Sequence, residues 1–244
     1  MPIRESAGDE VRLYRGFRLG TLADLVMLDT RTFRARQAAA DDARALGNPG
    51  RSMLGATQES WFLDTMRASE RAGTGWRLVG QQVVFAPITP PGLPVLQVDN
   101  WDGYPVARRR ILEALAAGRI GNVVVLTGDI HSSWANDVPR DPLFGYQAAT
   151  GAGSLAVEIV TPAISSPPLF SIAGIREQEP LLRLAAPHVK YLDGQRRGYV
   201  LLEITPERLT ADWYHVPTVS ERTSEESRSA SYVCERGSAR LVRA

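Results

Sequence analysis

The chain has 244 residues, enough to bury a substantial core as one large domain or two small ones. Hydrophobic residues at 44% and charged residues at 23% are those of an ordinary globular protein, and a net charge of +1 gives no electrostatic case for a nucleic-acid or anionic-membrane partner. Cys234 is the single cysteine, which excludes an internal disulfide and any multi-cysteine zinc site. Lys190 is the only lysine, so arginine carries nearly all the positive charge; that skew reflects the coding bias of a GC-rich genome and makes an isolated arginine weak support for a phosphate site. No stretch approaches the roughly 20 apolar residues of a membrane span. Charge follows Met1-Pro-Ile-Arg4, so no signal peptide is read there, as would also hold for a domain cut from a longer precursor.

In chain order, Val11 to Arg18 alternates apolar and polar residues and predicts a half-buried strand leading to a turn at Gly20. Leu25-Val-Met-Leu28 predicts a second strand closed by Asp29-Thr-Arg31, where Asp29 and Arg31 form either a salt bridge fixing the strand end or part of a site. Ala35 to Pro49 reads as loop. Thr57 to Arg71 predicts an amphipathic helix with Thr57 as N-cap and Trp61, Phe62, Leu63 and Met66 on its apolar face. Trp76 to Ala86 predicts a strand, and Pro87 to Pro94 a proline-rich loop. A helix is expected from Pro105 to Ala117, with Pro105 in its first turn and Gly118 as its stop. The alternation of strand and helix up to residue 127 argues an α/β fold with a parallel component. Leu155 to Val160 is a further apolar run. Tyr199–Ile204 and Leu209–His215, joined by Thr205-Pro-Glu-Arg208, predict an antiparallel hairpin. Residues 218–231 read as a solvated linker, and Tyr232 to Val242 as a terminal edge strand.

The richest stretch is Asn122 to Asp137. Val123 to Leu126 is a short, β-branched apolar run suited to a buried parallel strand. It breaks at Thr127-Gly128 into Asp129, His131, Ser132 and Ser133, at the strand end where α/β sheets collect chemistry. In an extended segment Asp129 and His131, two residues apart, leave on the same side, which suits a metal ion. A second cluster is Asp99, Asn100, Trp101, Asp102 and Tyr104: two carboxylates, an amide oxygen and two rings for stacking, or simply a turn bent at Asp102-Gly103. No nucleophile elbow surrounds Ser132 and Ser133, which read as supporting hydrogen-bond donors. His188 lies in a loop before the hairpin, a packing or surface histidine that borders a site, and His215 is structural.

Leu28-Asp-Thr-Arg31, Trp101-Asp-Gly-Tyr104, Val123 to Trp134 and Pro187-His-Val-Lys-Tyr191 together resemble, in order, the C-terminal half of PhoD-like alkaline phosphatases. The likeness runs from Pro2 to Pro217. It implies hydrolysis of phosphate monoesters and diesters, a periplasmic or secreted full-length protein, and iron and calcium as metals. The implied fold is part of a calcineurin-like α-β-β-α sandwich. By this resemblance His131 and Asp129 are metal ligands, Arg31 and Asp102 catalytic, and Trp101, Tyr104, Asn100 and His188 substrate-binding. The family also carries an upstream cysteine ligand, a Gly-Asp strand end and a Trp-Asp-Asp-His-Glu segment, none of which stands in this sequence, and Arg197 replaces a histidine expected before Gly198. The expectation is therefore a phosphoesterase portion with an incomplete site, weak metal binding, marginal stability and little activity by itself; the alternative is a non-catalytic interaction module keeping the fold. Oligomeric state is left open.

Overall fold

The computed structural model describes residues 12–89, 94–171 and 186–244. Val11 of the first expected strand and residues 90–93 of the proline-rich loop lie outside them. Strands β1 (Arg15–Leu19) and β2 (Ala23–Met27) flank the expected turn at Gly20 and pair as an antiparallel hairpin, with β1 mostly exposed where a half-buried strand was expected. A four-residue helix α1 (Ala43–Leu46), capped by Asp42, interrupts the stretch expected as loop. Helix α2 (Gly55–Arg71) begins two residues before the expected cap: Leu54 is the N-cap, without a side-chain hydrogen bond, and Thr57 lies inside the helix. Phe62 and Met66 of its expected apolar face are buried.

Strand β3 (Trp76–Gly80) stops six residues short of the expected Ala86. The reason sits far along the chain. The Glu158 carboxylate accepts from the backbone N–H of Phe85 at 2.7 Å and of Ala86 at 2.9 Å, so those donors serve a buried side chain instead of a strand ladder. Helix α3 (Pro105–Ala117) has the predicted bounds, with Pro105 in its first turn and Gly118 as C-cap. Strands β4 (Val123–Thr127), β5 (Ser133–Pro139), β6 (Ser154–Val160), β7 (Val189–Asp193), β8 (Arg197–Ile204), β9 (Arg208–Val216), β10 (Ser227–Glu235) and β11 (Val242–Arg243) follow. Of these, β7 follows His188 in the stretch expected as loop, and β5 falls where no strand was expected.

Among the described residues, seven strands form one sheet in the order β1-β2-β3-β4-β6-β5-β7, and four form a second, β11-β10-β9-β8. β2, β3, β4 and β6 run parallel, and the flanking pairs are antiparallel. β4 shows why its sequence is continuously apolar. Val123 and Val125 pack with Phe62, Met66, Ile111 and Leu115 of the helices, whereas Val124 packs with Leu209, Ala211 and Trp213 of the second sheet. A strand covered on both faces needs apolar residues at every position. The layers are thus helix, sheet, sheet. The expected C-terminal hairpin, β8 and β9, is half of the second sheet. Residues 227–231, expected in a solvated linker, open β10, which pairs with β9 on one side and β11 on the other, so the last long strand is internal and not an edge. Tyr232, Cys234 and Leu241 lie in the core between the sheets, and Leu241 N–H donates to the buried Asp137 at 2.8 Å.

Candidate active site

Three loops leave the carboxyl ends of β2, β3 and β4. In the first, Asp29 Oδ1 accepts from the backbone N–H of Arg31 and of Thr32, both at 2.9 Å, a turn that aims the Arg31 side chain outward. Asp29 and Arg31 therefore do not pair side chain to side chain. The Arg31 guanidinium reaches the other two loops instead, donating to Asp99 at 2.5 Å and to Asp129 at 2.7 Å. Asp99 also accepts from Arg34 at 2.8 Å and from Gln37. Burial pushes the Asp99 carboxyl up, but the hydrogen bonds and charges of Arg31 and Arg34 outweigh it and hold it below the ordinary carboxylate range.

The third loop differs from expectation. Asp129 and His131 are not extended: their φ angles are 68° and 55°, in the left-handed region. Such residues cost about 1–2 kcal/mol each, and they persist where surrounding contacts hold them. Arg31 holds Asp129, and His131 Nδ1 donates to the Pro167 carbonyl at 3.0 Å. A carbonyl only accepts, so Nδ1 carries the proton, and in the neutral ring Nε2 keeps its lone pair. Asn100, Asp129, His131, Val84, Pro167 and Leu169 line a pocket of about 180 Å³.

The structure thus gathers Arg31, Asn100, Asp129 and His131, and it buries the other four predicted residues outside the lining of that pocket. Asp102 is buried and accepts from Ile88 N–H at 3.1 Å, Thr89 N–H at 2.7 Å and Arg108 at 2.5 Å; it pins the loop after β3 and has no free face for catalysis. Trp101 packs edge-on against Phe85 in the helix-side core, its Nε1 donating to Gln81 at 3.1 Å. Tyr104 is equally buried, its hydroxyl donating to the Ala35 carbonyl at 2.6 Å. His188 is 1% exposed, bonded to the Pro87 carbonyl at 2.7 Å, and burial lowers it to about 4. Ser132 accepts from Trp134 Nε1 at 2.6 Å and Ser133 meets His215 Nε2 at 3.0 Å; both serines are buried supports of the turn, as their surroundings suggested. Arg197 donates to the Ser166 carbonyl at 2.9 Å, on the segment that carries Pro167.

Asp99, one of the two carboxylates singled out in the sequence, is the partner shared by Arg31, Arg34 and Gln37. One feature escaped the sequence. A buried relay joins two loops: Trp101 Nε1 donates to Gln81, Gln81 Nε2 to Thr127 Oγ1 at 2.7 Å, and Thr127 Oγ1 to Glu158 at 2.7 Å. It fixes the Asn100 turn relative to the end of β4.

A helix layer on a parallel-centred sheet backed by a second sheet, with polar residues at the strand ends, is a metallophosphatase-like arrangement. The structure of purple acid phosphatase PPD1 from yellow lupin (Lupinus luteus) seeds shares the fold at a TM-score of 0.53 and 11% identity, over 96% of this chain and 34% of that one. The structure of PhoD matches at a TM-score of 0.83 with 29% identity, over 100% of this chain and 46% of that chain. Alkaline phosphatase D of Bacillus subtilis (strain 168) is 33% identical over 245 residues, 96% of this chain and 40% of that protein. The PhoD-like phosphatase family matches residues 1–213. The chain belongs to the PhoD-like phosphatase family, and it spans less than half the length of these relatives. Among the described residues no helix is long and apolar enough to cross a membrane.

The family likeness suggests metal ions, and few donors here are free to hold one. His131 suits a metal, with a free Nε2 lone pair and a carbonyl orienting the other nitrogen. Asp129 is already paired with Arg31. Among the described residues no group of three or more His, Cys, Asp or Glu side chains could hold an ion. A two-metal centre holds its ions roughly 3.5–4 Å apart in two full coordination spheres, which these donors do not fit.

Proposed function

We propose that this chain supplies the phosphoryl-facing corner of a centre that hydrolyses phosphate esters, monoesters and diesters alike. The observation that carries the reading is Arg31, half-exposed and bridging Asp99 and Asp129 beside His131. Asp99 holds one edge of the guanidinium. The other edge, paired with the more exposed Asp129, exchanges that carboxylate for phosphoryl oxygens, whose developing charge it balances. Iron and calcium are proposed for the complete centre on the family likeness, with His131 Nε2 as this chain's contribution. Since the donors here do not complete that centre, no step is assigned to a metal, and the 244-residue chain by itself turns over little or no ester. The family likeness also supports action in a periplasmic or secreted setting.

The test is a chimera in which residues 1–213 replace the matching portion of alkaline phosphatase D. It should hydrolyse p-nitrophenyl phosphate, and His131→Ala should abolish turnover. A folded but inactive chimera supports a non-catalytic module instead, and turnover indifferent to His131→Ala removes that residue from the site.

A further inference from the structure

Asn100 is 3% exposed and lines the pocket beside His131. Its side-chain oxygen accepts the Asp102 backbone N–H at 2.8 Å, capping the turn Trp101–Gly103. A backbone N–H can only donate, so this bond settles which end of the amide is which: the oxygen is committed and Nδ2 is the remaining end. Nδ2 is buried and has no hydrogen-bond partner in the protein. A buried donor left unpaired is costly, and native folds rarely keep one without a partner to come.

The chemistry of that partner follows. An amide N–H₂ donates, so it calls for an acceptor, and the spent oxygen removes Asn100 from the ligands available to a cation. Arg31, which meets Asp129 of the same pocket, is the neighbouring cationic donor. We propose that Asn100 is a specificity-determining residue of this site: its Nδ2 donates to an oxygen of a bound phosphoryl group, next to the Arg31 guanidinium, and it does not ligate metal. This rests on the phosphoesterase reading and deepens the substrate-binding role expected for Asn100, with its amide nitrogen and not its oxygen as the contact. The neutral amide selects an acceptor oxygen where Arg31 selects negative charge.

The experiment uses the 244-residue chain and inorganic phosphate, followed by titration calorimetry and by the side-chain amide signals in a ¹⁵N spectrum. Asn100→Ser keeps an acceptor for the Asp102 N–H and stays neutral but removes the Nδ2 donor, its single hydroxyl hydrogen lying on the oxygen that caps the turn. Asn100→Asp keeps the acceptor and places a carboxylate oxygen where the donor stood. Both should bind phosphate at least about tenfold more weakly than the parent, the loss expected for one hydrogen bond to a charged group. In the parent, the amide signal absent from Asn100→Ser should move on adding phosphate. Unchanged affinity in a folded Asn100→Ser, or in Asn100→Asp if the serine variant does not fold, overturns the proposal and leaves the phosphoesterase reading standing. An amide signal that responds to calcium chloride and not to phosphate also overturns it. No phosphate binding by the parent overturns both.

Discussion

The Arg31 guanidinium and the Asp129 carboxylate meet at 2.7 Å, joining the ends of β2 and β4 across the width of β3. Asp99, at 2.5 Å from the same guanidinium, ties in the loop that precedes α3. Three segments far apart in sequence are thus held around one side chain. The pairs are partly exposed, at 37% for Arg31 and 45% for Asp129, so their role is geometric more than stabilising.

Arg31→Met is therefore expected to change unfolding free energy by less than about 1 kcal/mol, while weakening inorganic phosphate binding at least about tenfold. Urea unfolding and calorimetry measure the two effects separately. A large loss of stability with intact phosphate binding would reverse the assignment, making Arg31 a structural clamp.

Asp102 carries the opposite prediction. Its partners are Arg108 and the backbone N–H groups of Ile88 and Thr89, and the other acceptor of Arg108 is the Phe85 carbonyl at 3.3 Å. Asp102→Asn should cost about 3 kcal/mol, because it leaves a half-buried guanidinium without its carboxylate. An unfolding midpoint equal to that of the parent would show that the carboxylate is not the strut described, and would reopen a catalytic role.

His188 sets a pH dependence. Burial lowers its folded pKa to about 4, below an ordinary value near 6.5, so the folded state resists a proton that the unfolded chain accepts. The groups around it are Arg108, Asp102, Lys190, the Pro87 carbonyl and the Tyr146 ring. Its contribution is fully present above about pH 6.5 and is lost as the pH falls toward about 4, amounting to about 3 kcal/mol at most. Urea midpoints across that window should drop for the parent and drop less for His188→Asn. Parallel curves for the two proteins would refute the assignment.

Trp101 was expected to stack on substrate and is instead sealed against Phe85 and Gln81. Trp101→Ala should cost about 3–5 kcal/mol, the range for emptying a large aromatic site in a core. A stable Trp101→Ala variant with impaired phosphate binding would restore the stacking role.

What could be read from the sequence is what is locally determined. α3 announced itself through Pro105 and Gly118, β4 through an unbroken apolar run between two covered faces, and β8 and β9 through alternation around a turn. What could not be read depends on contacts between distant residues. Phe85 and Ala86, expected at the end of β3, lie outside it with their backbone donors taken by Glu158, a carboxylate 73 residues from Phe85. β5 hid because Asn136 and Asp137 are buried polar residues whose partners, Glu158 and Tyr146, lie on other segments. In the site, the motif residues Trp101, Asp102 and Tyr104 looked chemical because they are polar or aromatic and clustered. Their burial shows that they build the loop, while Asn100 of the same cluster lines the pocket and Asp99 meets Arg31.

The most direct test of the phosphoryl-facing corner is a crystal structure of the chain grown with orthovanadate, an oxyanion that mimics the phosphoryl group. The account predicts density in the pocket beside His131, within hydrogen-bond distance of Arg31 and of Asn100 Nδ2. Vanadate bound elsewhere, with Arg31 still closed on Asp129 and Asn100 Nδ2 still unpaired, would contradict it.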